Sequence, residues 1–217
     1  MRLSVLLIAF AVGVSPVNAV EQTTAREYPA PPVVEFARVQ PDLPAIPKIA
    51  PVPPPPPPVS VPAEFAHWIR LAGQQCAGIT PGLIAAQIFS ESSFQVDAVS
   101  YSNALGPGQF IPETWARWGV DADRDGMIDP FAIADSVVAL AAFMCDNVAK
   151  AQAGIDAGQL VGNPVDLALA AYNAGFGAVQ HAGGMPSGGD YSAQTQPYVW
   201  KIRDLERSYT ADLEARV

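Results

Sequence analysis

The sequence predicts an all-α fold for the stretch from Ala63 to Val217, and three observations carry the prediction. Proline recurs at positions suited to open a helix, apolar residues then follow at helical spacing, and β-branched residues show no sustained alternation between tight turns. Behind Pro62, the residues Phe65, Trp68, Ile69 and Ala72 share one helical face. Thr80-Pro81 supplies an N-cap and a first-turn proline, and Leu83, Ile84, Gln87, Ile88 and Glu91 follow at helical intervals. Asp129-Pro130 offers a further start ahead of a more secure body from Ala134 to Lys150, which carries Val137, Val138, Leu140, Ala141 and Met144. Asn163-Pro164 repeats the signal before Val165, Leu167, Ala168 and Ala171. That length suits a single domain with its own core.

Two segments precede it. Arg2 is followed by an apolar run from Leu3 to Val14, and Val17-Asn18-Ala19 offers small residues for cleavage, so residues 1–19 read as an export signal. The apolar run is shorter than the roughly 20 residues that span a bilayer core, which argues against a membrane anchor. Residues 20–62 are rich in proline, unbroken from Pro53 to Pro58, with few large apolar side chains to bury. Such a stretch is expected to be a disordered linker sampling polyproline II at about 3.1 Å per residue, either a plain spacer or a docking segment for an envelope protein partner.

The formal net charge is -9. Arg2, Arg26, Arg38 and Lys48 balance Glu21, Glu27, Glu35 and Asp42, so the acidity belongs to the domain beyond residue 62. An acidic surface repels a phosphate backbone, and nucleic acid is excluded as a partner class. A monomer is expected. The two cysteines, Cys76 and Cys145, form an even pair that export would place in an oxidising compartment, so one disulfide is expected, the alternative being two buried thiols.

Candidate chemistry centres on Glu91, at the end of an apolar helical run. Burial and the negative pole of the helix both favour a protonated carboxyl there, and a carboxyl that holds its proton near neutral pH can serve as a general acid. Glycosidases ordinarily pair such an acid with a second carboxylate. Asp97 follows a turn that leads away from the helix, and Glu113 sits where a helix start would use it as a dipole partner, so neither declares itself. His67 and His181 are too few for a zinc site beside bonded cysteines. Trp115, Trp118 and Trp200 suit either sugar stacking or the core, and Gly183 to Gly189 is expected to form a mobile loop bordering the site.

Four stretches occur in a telling order: Glu91-Ser92-Ser93-Phe94, Ala98-Val99-Ser100, Gly106-Pro107-Gly108-Gln109 and Ala171-Tyr172-Asn173-Ala174-Gly175. Together they resemble the soluble lytic transglycosylases, lysozyme-like enzymes of the glycoside hydrolase family 23 type that cut peptidoglycan. Thr195-Gln196-Pro197-Tyr198-Val199, with Lys201 and Ile202, resembles that family's closing helix. The resemblance implies a lysozyme-like catalytic domain in which Glu91 acts first as acid and then as base. The bond cut is the β-1,4 link between N-acetylmuramic acid and N-acetylglucosamine, and the muramyl product closes a 1,6-anhydro ring. It further implies that Ser100 and Gln109 grip sugar, and that Tyr172 and Asn173 orient the acid or the substrate. Read without the family, Tyr172 suits a core aromatic and Asn173 a helix cap. Where the family carries leucine and methionine, this chain has Pro107 and Gly108, which bears on substrate preference. A hydrolytic muramidase and a non-catalytic peptidoglycan-binding module are the competing readings.

The run Asp121-Ala122-Asp123-Arg124-Asp125-Gly126-Met127-Ile128-Asp129 spaces oxygen ligands as in the first half of an EF-hand loop. Asp121, Asp123, Asp125 and Asp129 are therefore candidate ligands for a structural calcium, although position 12 of such a loop is Ala132, a gap that Asp129 or Asp135 would have to fill. An internally hydrogen-bonded Asx loop is the alternative. The reaction itself is expected to need no cofactor.

Overall fold

The computed structural model describes residues 60–216. The export signal expected over residues 1–19, and the expected linker apart from its last three residues, lie outside them. Among the described residues the regular structure is helical, with isolated bridges in place of strands. Seven α-helices follow in order: α1 Ala63–Ala72, α2 Pro81–Ser92, α3 Pro112–Trp118, α4 Ile133–Asp156, α5 Pro164–Ala174, α6 Phe176–Ala182 and α7 Gln196–Glu214. A π-helical turn, Tyr191–Thr195, leads directly into α7. Among the described residues no helix is long and apolar enough to cross a membrane.

Helix α2 carries the candidate acid and is the best-buried element. Thr80 caps it, its hydroxyl accepting the Leu83 N–H at 3.0 Å, and Pro81 fills the first turn, where a missing N–H costs nothing. Leu83, Ile84, Ala85, Ala86, Gln87 and Ile88 are all buried, because α1, α4 and α7 cover the helix from several sides. Its broadest contact is with α7. A Cβ on Gly82 would come within 2.6 Å of the Glu206 carbonyl oxygen on α7, so the missing side chain is what lets the two helices approach. The chain then leaves α2 abruptly, with Ser93 and Phe94 both at positive φ (54° and 65°). Phe94 turns into an aromatic cluster with Phe65, Phe89 and Tyr209, at ring separations of 5.2–6.1 Å.

Helix α4 begins at Ile133, three residues beyond the Pro130 start signal, and runs past Lys150 to Asp156. The side chain of Asp129 explains the delay. It accepts the Phe131 N–H at 2.9 Å while the Asp129 carbonyl accepts the Ala132 N–H, which commits the segment to a turn, and Ala132 itself is extended. Asn163 caps α5 as expected, accepting the N–H groups of Val165 and Asp166.

Cys76 and Cys145 form the expected disulfide, tying the segment after α1 to the middle of α4. Closing a loop of 69 residues in the unfolded chain is worth roughly 4 kcal/mol in the chain-entropy account. At the other end, Val61 lies on the linker side of the boundary expected at residue 63. It is buried in the core and its N–H donates to Asp212 at 3.0 Å, so the packed body reaches back at least that far.

Candidate active site

Glu91 occupies the last turn of α2 and is half-buried, opening into a groove of about 520 Å³. Removal from water pushes its carboxyl up from the ordinary 4.5 to about 7; the Tyr198 hydroxyl and the nearby Lys201 ammonium pull the other way but do not offset it. Tyr198, on the first turn of α7, donates to Glu91 Oε1 at 2.5 Å. The second oxygen, Oε2, has no hydrogen-bond partner among the described residues and is the atom left for a ligand.

The residues expected to grip sugar converge on the same groove: Ser100, Gln109, Tyr172 and Asn173 all line it with Glu91. Each reaches it through specific backbone geometry. Ser100 lies in a loop whose N–H donates to the Ala104 carbonyl, and its hydroxyl accepts the Ala104 N–H while contacting the Ser102 hydroxyl at 3.0 Å. Leu105 and Phe110 exchange two backbone hydrogen bonds across a tight turn formed by Gly106-Pro107-Gly108-Gln109. Gln109 adopts a positive φ of 52°, a conformation that residues other than glycine hold only when their surroundings enforce it. Its side-chain amide supplies that force, donating to the Gly106 carbonyl at 2.9 Å and the Ala98 carbonyl at 3.2 Å.

The departures from the family pattern at Pro107 and Gly108 have a packing counterpart. Both residues are buried, and a Cβ on Gly108 would stand 2.8 Å from the Phe110 ring and 3.1 Å from the Ser136 hydroxyl. The Gly108 N–H donates to that hydroxyl at 3.0 Å. A larger residue here requires α4 to retreat.

Tyr172 has a different partner from the acid. Its hydroxyl donates to the Gly108 carbonyl at 2.6 Å and so pins the tight turn against α5. Its ring packs on Phe110 and Phe143, and burial raises its hydroxyl well above the usual phenol range, with the neighbouring Glu91 charge adding to the effect. Asn173 accepts from the Thr195 hydroxyl at 2.8 Å, linking the end of α5 to the π-helical turn. The hydroxyl that holds the acid is therefore that of Tyr198, which the motif spacing does not single out.

Among the described residues, Glu91 is the only carboxylate that lines the groove. Asp97 is exposed and outside the groove, and Glu113 sits exposed in the first turn of α3. Trp115 and Trp118 pack inward on Phe110 and Phe143, while Trp200 is exposed away from the groove. The partly buried Phe143 and Tyr172 line the groove in their place, with the fully buried Phe110 packed behind Tyr172. Met185, Pro186 and Ser187 of the glycine-rich loop line an adjoining opening that meets the groove at Ala174; they do not border Glu91. A larger hollow of about 680 Å³, over Lys150 and Phe176, is lined by no acid or histidine.

Residues 70–194 match the family model described as the transglycosylase SLT domain, more than half of the chain. The chain belongs to that family. The match runs from α1 to the π-helical turn and contains Glu91 and the four groove residues; Tyr198 lies just beyond it. Among solved structures, the SLT domain here is similar to an inactive mutant of the lytic transglycosylase Slt from Pseudomonas aeruginosa, at 21% identity and a TM-score of 0.47. That similarity covers 70% of this chain and 24% of the other, so the chain spans about a quarter of the length of that protein.

The Asp-rich loop is assembled only in part as expected. Asp121 and Asp123 come together with Asp135, their carboxylate oxygens within 4.8 Å of one another, while Asp125 and Asp129 stay outside the cluster. Several of these oxygens accept backbone N–H groups: Asp121 from Asp125 and Gly126, and the buried Asp135 from Ala122 and Asp129.

Proposed function

We propose that this SLT domain is a peptidoglycan lytic transglycosylase, with Glu91 cleaving the β-1,4 bond between N-acetylmuramic acid and N-acetylglucosamine. The observation that supports it most is one carboxyl, held protonated to about pH 7, in a groove where the described residues supply no second carboxylate to act as nucleophile or to activate water.

The proton on Oε2 of Glu91 passes to the glycosidic oxygen as the bond to the muramyl C1 breaks. The substrate's own acetamido oxygen stabilises the positive centre in place of an enzyme nucleophile. The C6 hydroxyl then attacks C1, its proton returns to the Glu91 carboxylate, and a 1,6-anhydro ring closes with no water consumed. Ser100 and Gln109 offer polar contacts to the sugar, and Asn173 lines the same groove. Tyr172 acts by holding the Gly108 turn, and Tyr198 by holding the acid.

This chemistry takes no cofactor. Asp121, Asp123 and Asp135 are proposed as a structural calcium site that stands apart from the reaction. Peptidoglycan lies outside the cytoplasmic membrane, which agrees with the export signal read from residues 1–19, and the Pro-rich stretch is proposed to reach an envelope partner.

The test is incubation of the protein with peptidoglycan sacculi and mass spectrometry of the products. Anhydromuramyl ends are expected, and Glu91→Gln is expected to abolish their release. Ordinary reducing ends, heavier by one water, would mark a hydrolytic muramidase. Binding without cleavage would mark a non-catalytic module.

A further inference from the structure

Gln87 is a polar side chain in an otherwise apolar stretch of α2, with no exposed surface. It lies one helical turn before Glu91, on the same face. Its Nε2 donates to the Tyr198 hydroxyl oxygen at 3.3 Å, and that hydroxyl donates to Glu91 Oε1 at 2.5 Å. A phenol has a single hydrogen, so with that hydrogen given to Glu91 its oxygen can only accept from Gln87. The network thereby fixes which end of the amide faces the tyrosine. The other end, Oε1, is buried without a partner, a cost that leucine at this position would avoid.

We propose that Gln87 is a positioning residue: by occupying the Tyr198 oxygen it aims the tyrosine hydrogen at Glu91 Oε1 and leaves Oε2 to carry the catalytic proton. The proposal rests on Glu91 being the acid. The other charged or titratable groups around the carboxyl do not duplicate the role. Tyr172 gives its hydroxyl to Gly108, and the Lys201 ammonium lies 5.5 Å over the Phe89 ring and acts on Glu91 through space. Without the amide, the Tyr198 hydroxyl is free to rotate, and the carboxylate form of Glu91 loses part of its stabilisation.

The experiment compares Gln87→Leu, Gln87→Met, Tyr198→Phe and the Gln87→Leu/Tyr198→Phe double variant in the full chain. The readouts are kcat and KM on a soluble glycan chain of peptidoglycan across pH, with a carboxyl NMR titration of Glu91 that needs no turnover. Each Gln87 variant is expected to move the alkaline midpoint upward by about half a unit to one unit, and to lower kcat roughly 2- to 10-fold at unchanged KM. Tyr198→Phe should give at least as large a shift, and adding Gln87→Leu to it should change nothing further. Gln87→Met keeps the side-chain length should Gln87→Leu pack poorly. A shift that persists in the Tyr198→Phe background, or no shift in either single variant while Glu91→Gln is inactive, overturns the positioning role alone. Cleavage that survives Glu91→Gln overturns the reading of Glu91 itself.

Discussion

Glu91→Gln should stabilise the protein in a way that depends on pH. The wild-type carboxyl holds its proton to about pH 7 in the folded state, against an ordinary 4.5 when exposed, because burial disfavours its charge. Between those values the folded protein binds a proton that the unfolded chain has released, so stability falls as pH rises through the window and levels off above it. The displacement from 4.5 to about 7, at about 1.4 kcal/mol per pH unit, corresponds to about 3 kcal/mol. Glutamine keeps an oxygen for the Tyr198 hydroxyl at nearly the same shape but does not titrate. The two proteins should therefore be about equally stable near pH 4, and the variant more stable by about 3 kcal/mol near pH 8, or roughly 6–12 °C in Tm for a domain of this size. Urea unfolding followed by tryptophan fluorescence at both pH values measures the difference. A gap that does not change with pH, or a variant less stable near pH 8, would refute the claim that Glu91 is charged at a cost.

Gly108→Ala places a Cβ against the Phe110 ring and the Ser136 hydroxyl; it should destabilise the domain by about 1–3 kcal/mol in denaturant unfolding and lower cleavage, since the same turn presents Gln109. An unchanged midpoint would mean that α4 yields easily at that contact. Calcium should raise the melting temperature, and chelation lower it, by relieving repulsion among Asp121, Asp123 and Asp135, with cleavage of sacculi unaffected. A melting temperature indifferent to both would leave the loop as one held by its own backbone bonds.

Much of this site could be read along the chain. The acid and Ser100 lie within ten residues of each other, Gln109 follows on the next turn, and Tyr172-Asn173 ends a helix whose cap was plain in Asn163-Pro164. What was not legible is pairing across the fold. Tyr198 meets Glu91 over 107 positions, and nothing in Gln196-Pro197-Tyr198 separates a tyrosine that grips a carboxyl from one that packs a core. Tyr172 carried the more recognisable motif, yet its hydroxyl serves the Gly108 turn. The tryptophans mislead for a similar reason: residue type marks a flat apolar face, and only tertiary contact shows that Trp115 and Trp118 turn inward while Phe143 and Tyr172 meet the groove. The late start of α4 likewise turns on whether the Asp129 side chain caps a helix or closes a turn, a choice made by a single hydrogen bond to Phe131.

The dependence of α2 on α7 also orders events in time. A polypeptide emerging from its amino end can complete the segment that bears Glu91 well before Tyr198 and the rest of its helix exist to clasp it. Until that late portion docks, the carboxyl has no tyrosine clamp, although every residue that lines its cleft has already been made. Competence of the carboxyl thus trails its own synthesis, since it is aimed only once a tyrosine made 107 positions later has folded back onto it.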